Sequence, residues 1–194
     1  MPEPTLTRET AAPRPAPAPP ARRAGGAVRL NLGCGHKRRE GFVGVDRYPC
    51  DAAEVLCDLA RRLPFATGSV EELHLDNVIE HVLDIPALVR EIVRVAKPGA
   101  RVTVVTPHFS SLSSWRDPTH VHHLAWSSMD HFAKRSTAHY VGGGLAIVSR
   151  RLSFGGGLGL LGRAVFAVAP ELWEKQLAFV LRASTLTFDL RVEK

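Results

Sequence analysis

The sequence predicts an α/β fold: a largely parallel sheet flanked by helices and closed by an antiparallel C-terminal edge. Three observations lead to it. From Val28 onward, short β-branched and apolar runs alternate with a helical pattern. A Gly-x-Gly turn, Gly33-Cys34-Gly35, follows the first apolar run, and the next run ends on an acid, Asp46. Two late alternating runs, Leu145 to Phe154 and Ser184 to Val192, come after the parallel part and read as its antiparallel edge.

Residues 1–26 hold seven of the 14 prolines, many alanines, and Arg8, Arg14, Arg22 and Arg23, a composition that predicts a disordered tail. Val28 to Leu32 reads as the first strand, Phe42 to Val45 as the second, Glu54 to Cys57 as the third and Leu73 to Asp76 as the fourth. Ile85, Leu88, Val89, Ile92, Val93 and Ala96 recur on one stripe, so Ile85 to Ala96 is an amphipathic helix. Asp84 is placed to cap it and Lys97-Pro98-Gly99 to end it. Arg101 to Thr106 is a β-branched strand, and Ser127 with Asp130 opens a shorter helix before the turn Gly142-Gly143-Gly144. Gly155 to Ala169 is expected to pack as loop and helix against the sheet, and Pro170 to Leu181 precedes the last strand.

The chain of 194 residues has room for one domain of ordinary size, here 27–194. No apolar run reaches the roughly 18 residues that would span a bilayer, and prolines interrupt every candidate signal core near the start. Cys34, Cys50 and Cys57 are odd in number and lack C-x-x-C spacing, which suits reduced thiols in a cytoplasmic protein. The formal charge of +6 includes the tail arginines, and the only dense basic cluster in the body is Lys37, Arg38 and Arg39. Without a wider basic face or interleaved aromatics, nucleic acid is disfavoured as a partner. Membrane contact is disfavoured too, and the oligomeric state is not written in the sequence.

Glycines at the end of a buried strand let the backbone approach a ligand closely, because no side chain intervenes. An acid at the end of the next strand can accept from two ribose hydroxyls. A tight hairpin explains the glycines equally well, but Asp46 tips the reading toward an adenosine-bearing cofactor. A nicotinamide dinucleotide fingerprint would require glycine where Arg38 stands, so a dehydrogenase is disfavoured.

The order of four segments, LNLGCG with GFVGVD, LPFATGSVEELHLDNVIEHV, RVAKPGA and DPTHVHHLAW, resembles the class I S-adenosylmethionine-dependent methyltransferases of the type 11 kind, from about Val28 to Lys194. The resemblance implies a Rossmann-like three-layer α/β sandwich. It also implies S-adenosylmethionine as cofactor and methyl transfer to a small or medium-sized acceptor, by O- or N-methylation. It carries Leu32, Gly33, Cys34 and Gly35 over as contacts under the methionine part and Asp46 as the ribose acid. Asp58 and Leu59 fall at the adenine edge, and Asn77 and Val78 on the sulfonium side.

Thirteen positions from Gly33 to Asp46 leave little space for a first crossover helix, and Lys37 stands where a third glycine is usual. Lys37, Arg38 or Arg39 is then a candidate partner for the cofactor carboxylate, in place of a helix dipole.

His108, His120, His122, His123, His131 and His139 all follow the fifth strand. Glu80, His81, His108, Asp117 and His120 are expected on the substrate side, where ligands bind at the carboxyl edge of open α/β sheets. His120, His81 and His108 are the candidate general bases, since imidazole titrates near neutrality. Each also fits a role bonding a loop carbonyl. Trp115 and Trp126 fit a pocket wall or the core. No metal site is expected, because His120-x-His122-His123 has no demonstrated convergent partner. The competing function is a cofactor-binding module without transfer activity, acting as a partner in a biosynthetic assembly.

Overall fold

A computed structural model describes residues 28–133 and 143–194; the predicted tail, His139 and Gly142 lie outside the described residues. Seven strands form one sheet: β1 Val28–Leu32, β2 Val43–Asp46, β3 Val55–Leu56, β4 Val70–Asp76, β5 Ala96–Pro107, β6 Leu145–Phe154 and β7 Ala183–Val192. Their spatial order is β3-β2-β1-β4-β5-β7-β6. β1 to β5 pair in parallel, with Leu30 opposite Val43 and Leu73, and β7 runs antiparallel to both β5 and β6. The order reverses between β1 and β4, which places a ligand crevice at the carboxyl ends of these strands.

Helix α1, Ile85–Val95, follows the expected stripe, burying Leu88, Val89, Ile92 and Val95. Asp84 Oδ1 accepts from Ala87 N at 2.8 Å, satisfying one of the orphan donors of the first turn. Shorter helices follow: α2 Leu112–Arg116, α3 Asp130–Ala133, α4 Gly159–Val168 and α5 Pro170–Leu172, the last running into a π turn, Trp173–Leu177. α4 packs on β6 through Gly162, where a Cβ would come within 2.8 Å of the Phe154 ring. Around it, Leu160, Leu161, Val168, Phe179 and Val180 stay exposed. Among the described residues no helix is long and apolar enough to cross a membrane.

The core lies on one side of the sheet. Leu30, Leu32, Leu73, Leu75, Val102, Val104, Phe188 and Leu190 point toward α1 and join one buried cluster. The opposite face is polar: Glu72 pairs with Arg29 at 3.7 Å and Arg101 at 4.0 Å, and Asp189 accepts from Ser149 and Thr103. The described residues thus supply one helical layer of the three-layer sandwich. The reason is chain length: residues 33–42 join β1 to β2 and 47–54 join β2 to β3 without a helix, so neither crossover builds the second layer.

Candidate active site

The glycine turn is shaped by its backbone. Gly33 and Gly35 have φ of 63° and 51°, a region that side-chain-bearing residues rarely adopt. Gly33 N and Cys34 N both donate to Val45 O, so the turn folds back over the end of β2. A Cβ on Gly33 would lie 2.5 Å from Val78 Cγ2, whereas a Cβ on Gly35 would meet nothing within 4 Å. The turn is packed from below at Gly33 and open above at Gly35.

Asp46 is fixed by the same turn. Its Oδ2 accepts from Gly35 N at 2.8 Å and its Oδ1 from Tyr48 N at 3.0 Å, and each oxygen keeps a lone pair for a further donor. The neighbouring Cys34 thiol is pushed up to about 12 by burial, with Cys50 and Asp46 adding to the effect, so it stays a neutral thiol. These residues fit the group the resemblance implies: an open glycine turn beside an acid held in place by two backbone N–H groups suits the ribose and methionine parts of S-adenosylmethionine.

Leu32 is fully buried beneath the turn. Beyond β3, Asp58 accepts from Ala60 N and faces Arg47 at 3.9 Å, while Leu59 packs partly on the core. Asn77 holds φ of 56°, donating its N–H to Val105 O and its side-chain amide to Asp76, and Val78 is buried next to it. Of the basic link, Arg38 donates to Asp51 O and Arg39 lies against His74 and over the Phe42 ring. Lys37 reaches the strand ends, donating to Asp76 Oδ2 at 2.9 Å. Asn31 Nδ2 bonds Lys37 O at 3.0 Å and so pins the link from beneath. Sequence reasoning passed over this residue, because its partner lies six positions away and on the polar face.

Directly after Val78, the 3₁₀ turn Ile79–His81 carries Glu80 and His81. Glu80 is 1% exposed. Its Oε2 accepts from Thr106 Oγ1 at 3.0 Å; its Oε1 is buried without a hydrogen-bond partner. Burial pushes the carboxyl up from its ordinary value, against the bonds it accepts and the nearby histidines. The backbone of the same residue anchors the histidine-rich loop, since Glu80 O accepts from both Val121 N and His122 N.

That anchor brings His120 back to Glu80, with Nε2 4.0 Å from Oε1 and 3.9 Å from Asp117 Oδ2. The His120 and His81 rings meet edge to face at 4.6 Å. His120 Nδ1 lies 3.0 Å from Ser114 O, a group that only accepts, so Nδ1 carries the proton in the neutral ring. His81 Nδ1 likewise donates toward Thr119 O and Oγ1, whose own proton goes to Asp117 Oδ1 at 2.6 Å. Both rings therefore keep Nε2 as a bare lone pair. Bonds from the Thr119 hydroxyl and N–H hold Asp117 below the usual carboxylate range.

The structure brings Glu80, His81, Asp117 and His120 together and leaves His108 out. His108 is fully buried; its Nδ1 accepts from Ser110 N and its Nε2 donates to Glu174 Oε1 at 3.2 Å. Burial alone would raise Glu174, but the bonds from His108 and Trp126 N hold it low. This pair ties the end of β5 to the π turn, which is a structural duty. His122 bonds Leu83 O, and His123 stacks on Trp115 at 3.7 Å. Trp126 packs between Phe166 and Arg150. A groove of about 560 Å³ runs over the polar sheet face between Arg29, Arg101 and Arg191, away from the strand ends that carry this cluster.

Residues 30–104 match the family model described as a methyltransferase domain, of the type 11 kind. No curated protein matches the chain. Among solved structures, a methyltransferase dependent on S-adenosylmethionine from Archaeoglobus fulgidus is similar over 86% of this chain and 86% of its own, at 17% identity and a TM-score of 0.57. One from Mesorhizobium loti is similar over 86% of this chain and 91% of its own, at 16% identity and a TM-score of 0.52. The [4+2]-cyclase SpnF is similar over 87% and 76%, at 14% identity and a TM-score of 0.54. At such identities the likeness is one of fold. Residues 30–104 are thus similar to the type 11 methyltransferase domain, the chain has the fold of the S-adenosylmethionine-dependent methyltransferases, and that similarity and fold together imply S-adenosylmethionine as cofactor.

Proposed function

We propose that this protein transfers a methyl group from S-adenosylmethionine to the oxygen or nitrogen of a small or medium-sized acceptor held against Glu80, His81, Asp117 and His120. One observation carries the reading: the Asn77-Val78 turn beside the glycine cradle runs within two residues into Glu80-His81, and Glu80 O holds the His120 loop. Donor cradle and acceptor-side cluster are one continuous piece at the carboxyl ends of β1, β2, β4 and β5.

When bound, the cofactor supplies an electrophilic methyl on a sulfonium. Leu32, Gly33, Cys34 and Gly35 would hold the methionine part, Asp46 would accept from the ribose hydroxyls, and Asp58 with Leu59 would border the adenine. Asn77 and Val78 would flank the sulfonium side. Transfer by displacement is governed mostly by alignment of nucleophile, methyl and sulfur. His120 Nε2 takes the acceptor proton, and the resulting imidazolium faces the carboxylates of Glu80 and Asp117 at 4.0 and 3.9 Å. Reduced Cys34, Cys50 and Cys57, all free, suit a cytoplasmic setting.

The test is transfer of labelled methyl from the cofactor to acceptor pools by purified protein. Label appearing in an acceptor supports the reading. Binding of the cofactor with no transfer to any pool leaves only a binding module.

A further inference from the structure

We propose that Glu80, His81 and His120 form a binding site for a divalent first-row transition ion. One ligand atom from each of the three lies within 4.8 Å of the other two. The donor set is two imidazoles and one carboxylate, which suits zinc, iron, cobalt or nickel rather than magnesium or calcium. The sequence predicts no metal here, because His120-x-His122-His123 shows no demonstrated convergent partner, with only Asp117 and His108 as possible ones. The ligands instead converge across 40 positions, from the turn after β4 and the loop after α2.

Two independent features point to an ion. Glu80 Oε1 is buried, lacks a hydrogen-bond partner, and sits 4.0 Å from His120 Nε2, too far for a direct hydrogen bond. A buried carboxylate oxygen in that state is costly, and a cation between the two atoms offsets the cost. The other ring nitrogens are also set as they are in metal sites: Nδ1 of His120 and of His81 donates to the backbone carbonyls of Ser114 and Thr119, which fixes the tautomer and leaves Nε2 with its lone pair. Cys34, Asp46 and Cys50 also bring ligand atoms within 4.8 Å, but there both Asp46 oxygens already accept from backbone N–H groups.

Three protein ligands leave coordination positions open. With the ion in place His120 Nε2 is a ligand and does not take the acceptor proton; an acceptor hydroxyl in an open position would instead be acidified by the ion, its O–H bond breaking with the electron pair kept on oxygen and the proton passing to water. Asp117 Oδ2, 3.9 Å from His120 Nε2, stands at the rim of that opening. The site stands on its own geometry and does not depend on methyl transfer.

The probe is cobalt(II), added to metal-free protein without cofactor and followed by its visible absorption and by calorimetry. We expect one equivalent to bind, zinc to displace it, and Glu80→Gln, His81→Ala and His120→Ala each to weaken it at least tenfold. The His81 side chain is exposed, so His81→Ala is read even if a buried substitution disturbs the fold. His122→Ala, whose ring bonds Leu83 O, retains full affinity. Wild-type protein without a one-to-one cobalt complex, or cluster variants that bind as tightly as wild type, overturns the proposal.

Discussion

Glu80 accepts from Thr106 through Oε2 and turns Oε1, unpartnered, toward His120 Nε2 4.0 Å away. An acid on the turn after β4 is thereby coupled to a histidine on the loop after α2. Removing the imidazole while leaving the glycine cradle intact separates acceptor activation from cofactor binding. His120→Ala is expected to lower methyl transfer by about 10²- to 10⁴-fold, with affinity for S-adenosylhomocysteine unchanged. His108→Ala, which strips Glu174 and Ser110 of a buried partner, is expected instead to lower the melting temperature.

The two turn glycines have different reasons to be glycine. Alanine at Gly35 pays only the positive-φ cost, about 1–2 kcal/mol, because the space above it is open. Alanine at Gly33 adds a clash with Val78 at 2.5 Å, worth a further ~1–3 kcal/mol. Thermal melts should rank Gly33→Ala well below Gly35→Ala, while calorimetry should find S-adenosylhomocysteine binding lost in Gly35→Ala, whose methyl enters the ligand space.

Glu91 joins α1 to the segment after β3. It accepts from Leu63 N and from Arg94, whose guanidinium also reaches Leu63 O and Phe65 O. The Arg94 hydrogen bonds hold the Glu91 carboxyl below its ordinary value. A carboxylate depressed in the folded state contributes stability above its unfolded pKa, about 4.3, and loses it as pH falls through the folded value. Glu91→Gln is expected to cost about 1–3 kcal/mol at pH 7, with the gap to wild type closing below about pH 4. Denaturant melts across that range measure it.

Much of the parallel sheet is legible in the residues. Leu30, Leu32, Leu73 and Leu75 alternate toward α1, and Asp84 caps that helix as its side chain predicts. β4 extends further back than Leu73, to Val70, because Glu71 and Glu72 carry charge on a strand whose other face is wet. β5 begins at Ala96, through Gly99 at φ 79°, where Lys97-Pro98-Gly99 reads only as a helix end. The serine-rich α2 offers no apolar period; its cap is Ser111 accepting from Ser113 N. In the site, the glycines and Asp46 are legible because their partners are near in sequence. The burial of Glu80 is not, since Thr106 and His120 lie 26 and 40 positions away and meet it only once β4 and β5 pair.

The most direct measurement of the central claim is calorimetric titration of the protein with S-adenosylhomocysteine. We predict a single site in wild-type protein and, for Asp46→Ala, a loss of the ribose hydrogen bonds worth about 1.5–3 kcal/mol, read as roughly a ten- to hundredfold weaker affinity. Wild-type protein that gives no binding heat, or Asp46→Ala that binds as wild type does, contradicts the assignment of the turn from Gly33 to Gly35 and Asp46 as the cofactor cradle.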